Sequence, residues 1–203
     1  IAEALPHLRL AADLGPDTAW KRSDLAAALE RLGRIPEAAD QYAKAAQESP
    51  TNPHFRNYLG VALMKEGKLE EATVELRRAV ALKGDWTEAR KNLGAALARQ
   101  GKDAEAVAEF EEALRLSPDF AAAHEGLGLA FMRQGDLPRA IREFRAAIAR
   151  SRDPSEVHNN LGVALARQGD PEGATQEFRL ALEVRPDFPA AQKNLEAALY
   201  DAE

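Results

Sequence analysis

The chain has 203 residues, 45% of them hydrophobic and 30% charged, with a formal net charge of −6 at pH 7. That acidic balance argues against a nucleic-acid binder, which needs a basic face to neutralise phosphates, and the absence of cysteine excludes disulfides and thiolate metal sites. No run of about 18 apolar residues is present, so no membrane insertion by this segment is expected.

The dominant signal is a repeat of 34 residues, visible as the column Leu25, Leu59, Leu93, Leu127, Leu161 and Leu195. Such a period marks stacked supersecondary units, which grow by addition rather than around one closed core. Taken in order, residues 1–18 read as the second half of a unit, with Ala4, Leu8, Ala11 and Pro16 in register. Full units follow at 19–52, 53–86, 87–120, 121–154 and 155–188, and residues 189–203 form a terminal, capping helix. The chain starts on Ile1 in mid-repeat, which reads as an excised piece of a longer protein.

Each unit predicts two helices joined by a tight turn. In the first helix, Leu29, Leu63, Leu97, Phe131, Leu165 and Leu199 lie four residues beyond the leucine column, on the same helical face. Glycine follows four of the leucines, at Gly60, Gly94, Gly128 and Gly162. Glycine inside a helix costs about 1 kcal/mol relative to alanine, so these four predict close approach by the backbone of a neighbouring helix. A second glycine column, Gly33, Gly67, Gly101, Gly135 and Gly169, fits left-handed helix caps. Beyond the turn, Pro36, Pro138 and Pro171 suit a helix start. The second helix then alternates small and large residues, as in Ala106–Phe110–Ala113 and Ala140–Phe144–Ala147, and this aromatic stripe reads as core.

The Leu-Gly pairs, the Ala-to-Phe pairs Ala106–Phe110 and Ala140–Phe144, and the terminal Pro50, Pro118 and Pro186 resemble the tetratricopeptide repeat (TPR) signature W-x₂-L-G-x₂-Y, A-x₃-F, P. The Trp column departs from it, holding Arg22, Arg56, Arg90, His124, His158 and Gln192, and the Tyr column is mostly leucine. The resemblance implies an all-α fold: a right-handed superhelical solenoid of stacked antiparallel helix pairs, the first helix of each pair lining a concave groove.

In that arrangement the groove presents first-helix residues off the packing face. Asn92, Asn160 and Asn194 form an asparagine column, interrupted by Gly126, whose amides suit the N–H and C=O of an extended peptide. A basic column, Arg31, Lys65, Arg99, Arg133 and Arg167, would attract an acidic segment or a C-terminal carboxylate; each also sits two residues before a turn glycine, where a cation suits the negative end of the helix. Asn57, Lys91, Met132, Asn159 and Lys193 complete the expected protein- or peptide-binding set. A carboxylate clamp of the kind some chaperone-binding relatives use is rejected, because Glu125 and Gly126 stand between Lys91–Asn92 and Asn159–Asn160.

The expected function is a non-enzymatic protein–protein interaction scaffold with no cofactor, metal or catalytic residue of its own. His124 and His158 share a column and are expected either to face each other or to serve packing. Two alternatives remain: a self-assembling module, through its groove or through apolar ends carrying Ile1, Leu5, Leu8, Leu195 and Leu199, or the substrate-recruiting part of a larger enzyme or assembly factor.

Overall fold

The computed structural model describes residues 5–14 and 17–200. Ile1, Ala4 and Pro16, which the reading of the N-terminal end invoked, and residues 201–203 of the expected terminal helix lie outside that range. Twelve helices and no strand occur among the described residues: α1 (Leu5–Asp13), α2 (Thr18–Arg31), α3 (Ile35–Glu48), α4 (Pro53–Glu66), α5 (Leu69–Leu82), α6 (Thr87–Arg99), α7 (Asp103–Leu116), α8 (Ala121–Gln134), α9 (Leu137–Ile148), α10 (Ser155–Gln168), α11 (Pro171–Val184) and α12 (Pro189–Tyr200). None is long and apolar enough to cross a membrane. The chain divides into two compact units, Ile1–Gly101 and Lys102–Glu203. Within each, every helix packs on the next, and first helices also meet, α4 on α6 in the first unit and α8 on α10 and α10 on α12 in the second.

The turns follow from one conformational requirement. Gly67, Gly135 and Gly169 sit at φ of 82°, 81° and 90°, where a side chain is disfavoured. The residue after each glycine donates back to a carbonyl inside the helix, Lys68 to Leu63 at 2.9 Å, Asp136 to Phe131 at 2.9 Å and Asp170 to Leu165 at 3.0 Å. This satisfies end carbonyls that the helix cannot use itself. At the opposite ends, the Asn52, Asp136 and Asp170 side chains accept from backbone N–H groups of His54, Arg139 and Gly173.

Small residues set the spacing. The columns Ala38, Ala72, Ala106, Ala140, Ala174 and Ala45, Ala79, Ala113, Ala147, Ala181 are fully buried, so the second helices pack at alanine distance. At Gly60, Gly128 and Gly162 the nearest approach is by a large side chain from the second helix of the same pair rather than by backbone. A Cβ on Gly128 would lie 2.5 Å from the Phe144 ring, and one on Gly162 would lie 2.5 Å from Phe178. On Gly60 it would meet Leu76 at 2.5 Å, with the Ala72 carbonyl farther off at 3.2 Å. The notch and its filler are sixteen residues apart in each case (60 to 76, 128 to 144, 162 to 178), so the helix hairpin locks itself.

The column that the family signature gives to Trp ties the same two helices through polar side-chain contacts. Arg56 donates to Glu75 at 2.8 Å, and the His124 and His158 rings meet Glu143 at 2.8 Å and Glu177 at 2.6 Å. His124 also meets the Pro118 carbonyl at 3.1 Å through its other nitrogen. The two histidines therefore do not face each other; each is turned inward by a glutamate nineteen residues on.

Candidate functional site

The first-helix face of the first compact unit holds a depression of about 380 Å³. Its walls are aromatic: Tyr42 comes from α3, Tyr58 from α4, and Trp86 from the position just before α6. Tyr42 and Tyr58 approach with ring centroids 5.6 Å apart. Behind Trp86 the rings continue, His54 lying 4.5 Å from Trp86 and Trp20 lying 4.7 Å from Phe55. Burial of the Tyr42 hydroxyl, with Glu30 nearby, pushes its pKa far above the ordinary phenol value, so it stays a neutral donor. Glu30 and Glu88 supply carboxylates to the rim, and Asn57, Lys91 and Asn92 lie at the α4–α6 side.

Three of the expected site residues thus meet in one depression. Asn57 and Asn92 are only 3% and 7% exposed, and the Asn92 amide donates to the Asn57 oxygen at 2.9 Å. Lys91 is drawn to Glu88 on its own helix, and Lys65 pairs with Glu30 at 3.3 Å. Arg99 reaches the Met64 carbonyl at 2.8 Å, placing its charge at the C-terminal end of the preceding first helix.

In the second compact unit the same register recurs. Asn194 donates to Asn159 at 2.8 Å, and Asn159 is 9% exposed. Asn160 points at Glu125, but at 3.5 Å the contact is weak. Burial, and then Glu156, raise the Glu125 pKa above the usual carboxylate value. Arg133 pairs with Asp103 at 2.6 Å, while Met132 is half-buried and Arg167 and Lys193 are exposed. The amide column is therefore a relay between neighbouring first helices: an asparagine of one repeat donates to the residue 35 positions earlier.

Sequence reasoning missed the rings. Tyr58 stands where other repeats carry Asn92, Gly126, Asn160 and Asn194, and Trp86 precedes a helix start. The available signal was composition, because both tryptophans and two of the three tyrosines fall between residues 20 and 86.

Comparison with known proteins agrees with this architecture. A family model described as tetratricopeptide repeat matches residues 1–53 and 125–189, a second of the same description matches 32–97, and a TPR repeat model matches 94–135. Among curated proteins, no match was found. Similar solved structures include TTC0263, a thermophilic TPR protein of Thermus thermophilus, with 21% identity and a TM-score of 0.77 over 90% of this chain and 99% of that one. YrrB, a TPR protein described as having an unusual peptide-binding site, shows 19% identity and a TM-score of 0.66, covering 92% and 96% of the two chains. The APC/C hetero-tetramer Cut9–Hcn1 shows 20% identity and a TM-score of 0.84, covering 98% of this chain and 39% of that one. At these identities the likeness concerns the fold. The chain belongs to the tetratricopeptide repeat family.

Proposed function

We propose that the protein is a non-enzymatic interaction scaffold that binds a peptide segment or partner protein on the face built by its first helices. The observation that carries this reading is the depression walled by Tyr42, Tyr58 and Trp86 and rimmed by Glu30 and Glu88. Rings with polar tips combine apolar contact area with directional hydrogen bonding, the chemistry that anchors protein interfaces. Lys65, Lys91, Arg99, Met132, Arg133, Asn160, Arg167, Lys193 and Asn194 extend the proposed surface along the two compact units. Asn57, Asn92 and Asn159 act beneath it by holding successive first helices in register. A peptide-binding site in YrrB supports the class of ligand.

Selection of a displayed peptide library on the intact chain tests this. Enriched peptides should lose affinity by about tenfold or more on Trp86→Ala or Tyr58→Ala, the usual cost of an aromatic anchor, and keep it on Arg179→Ala, an exposed second-helix position. Equal binding to all three variants sinks the reading.

A second reading is favoured by one feature. Val184 and Leu199 are about half exposed and Tyr200 is 81% exposed, so α11 and α12 offer apolar surface suited to a second copy. Light scattering over a concentration series should then show a dimer that Tyr200→Glu dissolves; a strict monomer removes this reading.

A further inference from the structure

The walls of the aromatic depression leave particular groups unused. Tyr58, Val61 and Trp86 are only partly buried, so each keeps apolar surface open to a ligand. Tyr42 is 5% exposed, yet it lines the depression and its hydroxyl is not closed to solvent. Neither the Tyr42 nor the Tyr58 hydroxyl has a hydrogen-bond partner among the described residues. A buried tyrosine hydroxyl ordinarily finds one, so the depression offers open ring surface beside donors still to be used.

The charges around these rings are already paired. Glu30 meets Lys65 at 3.3 Å, Glu88 meets Lys91, and the Asn57 oxygen accepts from Asn92 at 2.9 Å. Lys83 lies over the Trp86 ring, 5.9 Å from its centroid. A cationic guest would have to compete with three lysines, and an anionic one would approach two carboxylates. The chemistry left over selects a neutral, apolar ligand that accepts hydrogen bonds and brings no donor of its own.

We propose that the depression takes a proline-bearing segment of a partner protein, with pyrrolidine rings against Tyr58 and Trp86 and a backbone carbonyl accepting from the Tyr42 hydroxyl. Proline is the residue whose backbone accepts but cannot donate, so it introduces no N–H for the depression to satisfy. Its polyproline II form is extended before binding and has no internal hydrogen bonds, which leaves the carbonyls free. Ring-lined grooves recognise such segments at little entropic cost. Resting on the reading of this depression as a peptide site, the assignment adds the class of peptide.

The test is an NMR titration of the ¹⁵N-labelled full chain with acetyl-hexaproline amide. An uncharged Gly-Ser hexapeptide, and the same hexapeptide with lysines introduced, serve as comparisons. Hexaproline should give saturable shifts at the Trp86 indole N–H and at amides of α3, α4 and the start of α6; the Gly-Ser peptide should give none. Tyr42→Phe removes only the hydroxyl and should weaken hexaproline binding about fivefold, the effect of one hydrogen bond, with melting unchanged. Trp86→Ala should weaken it about tenfold or more. Equal shifts with the Gly-Ser peptide, a lysine peptide that binds as tightly, or full affinity in Tyr42→Phe overturns the proposal. Displayed peptides that depend on Trp86 but show no enrichment of proline also overturn it, and leave the scaffold reading standing. Displayed peptides indifferent to both Trp86 and Tyr58 remove the two together.

Discussion

The two compact units are built on one repeat and spend their aromatic residues differently. In the first, Trp20, Tyr42, Tyr58 and Trp86 cluster toward the first-helix face, and the glycine notch at Gly60 is filled by Leu76. In the second, three phenylalanines turn inward, Phe144 on Gly128, Phe178 on Gly162 and Phe110 on Gly126. The difference has a physical basis. Phenylalanine has no polar atom and can be buried whole, whereas Tyr and Trp carry a group that needs a partner and so sit best where one end stays wet. The same skeleton thus uses its rings to hold the stack in one region and, in the proposed reading, to meet a ligand in the other.

Removing the notch fillers breaks this comparison most sharply. Phe144→Ala should cost about 3–5 kcal/mol and Leu76→Ala about 2–5 kcal/mol, each read as lost hydrogen-exchange protection confined at first to its own compact unit. Because stacked repeats unfold in parts, local exchange is a better measure here than a single melting midpoint. Equal loss of protection in both units would show that the two do not open separately.

The amide relay gives a smaller, asymmetric effect. Asn92→Ala leaves the buried Asn57 oxygen without its donor, which costs about 1–3 kcal/mol. Asn160→Ala, whose bond to Glu125 is long, should fall within about 0.5 kcal/mol of the parent protein. Chemical denaturation of both variants checks this; similar losses would make the relay uniform and the contrast between the units false.

The smallest effect is one of pH and belongs to the second unit. Hydrogen bonds from the Ser155 hydroxyl, from Arg185 and from the Ser155 N–H hold the Asp153 carboxyl at about 2, below the ordinary aspartate value of 3.8. A carboxylate depressed in the folded state stabilises above its unfolded pKa, and that contribution disappears as pH falls through the folded value. Asp153→Asn should therefore be less stable than the parent protein above about pH 4 and converge with it near pH 2. A constant difference across that window would remove Asp153 from the pairing that starts α10.

Much of the architecture was legible because the repeat writes each packing position several times. A column such as Ala38–Ala72–Ala106–Ala140–Ala174 points to a shared contact, and all five residues are buried. The turn glycines were legible for a similar reason, since five at one register point to one backbone conformation. The partner of a packing residue was less so. The Gly128 register announced a close approach, but whether backbone or side chain arrived depended on Phe144, sixteen residues away on another helix.

The sequence by itself determined the class of fold, the helix pairs, the turns and the family, because these rest on periodicity and local backbone preference. Only tertiary structure decided what the asparagine column does. Periodicity places Asn92 on a helical face, but a side-chain amide bonds to whatever lies nearest, and for Asn92 that is Asn57, 35 residues earlier. The tertiary structure likewise gathered Tyr42, Tyr58 and Trp86 from three helical elements into one depression and left Glu66 Oε1 buried with no hydrogen-bond partner among the described residues. Both arise from contacts between residues distant in the chain, and no single repeat contains them.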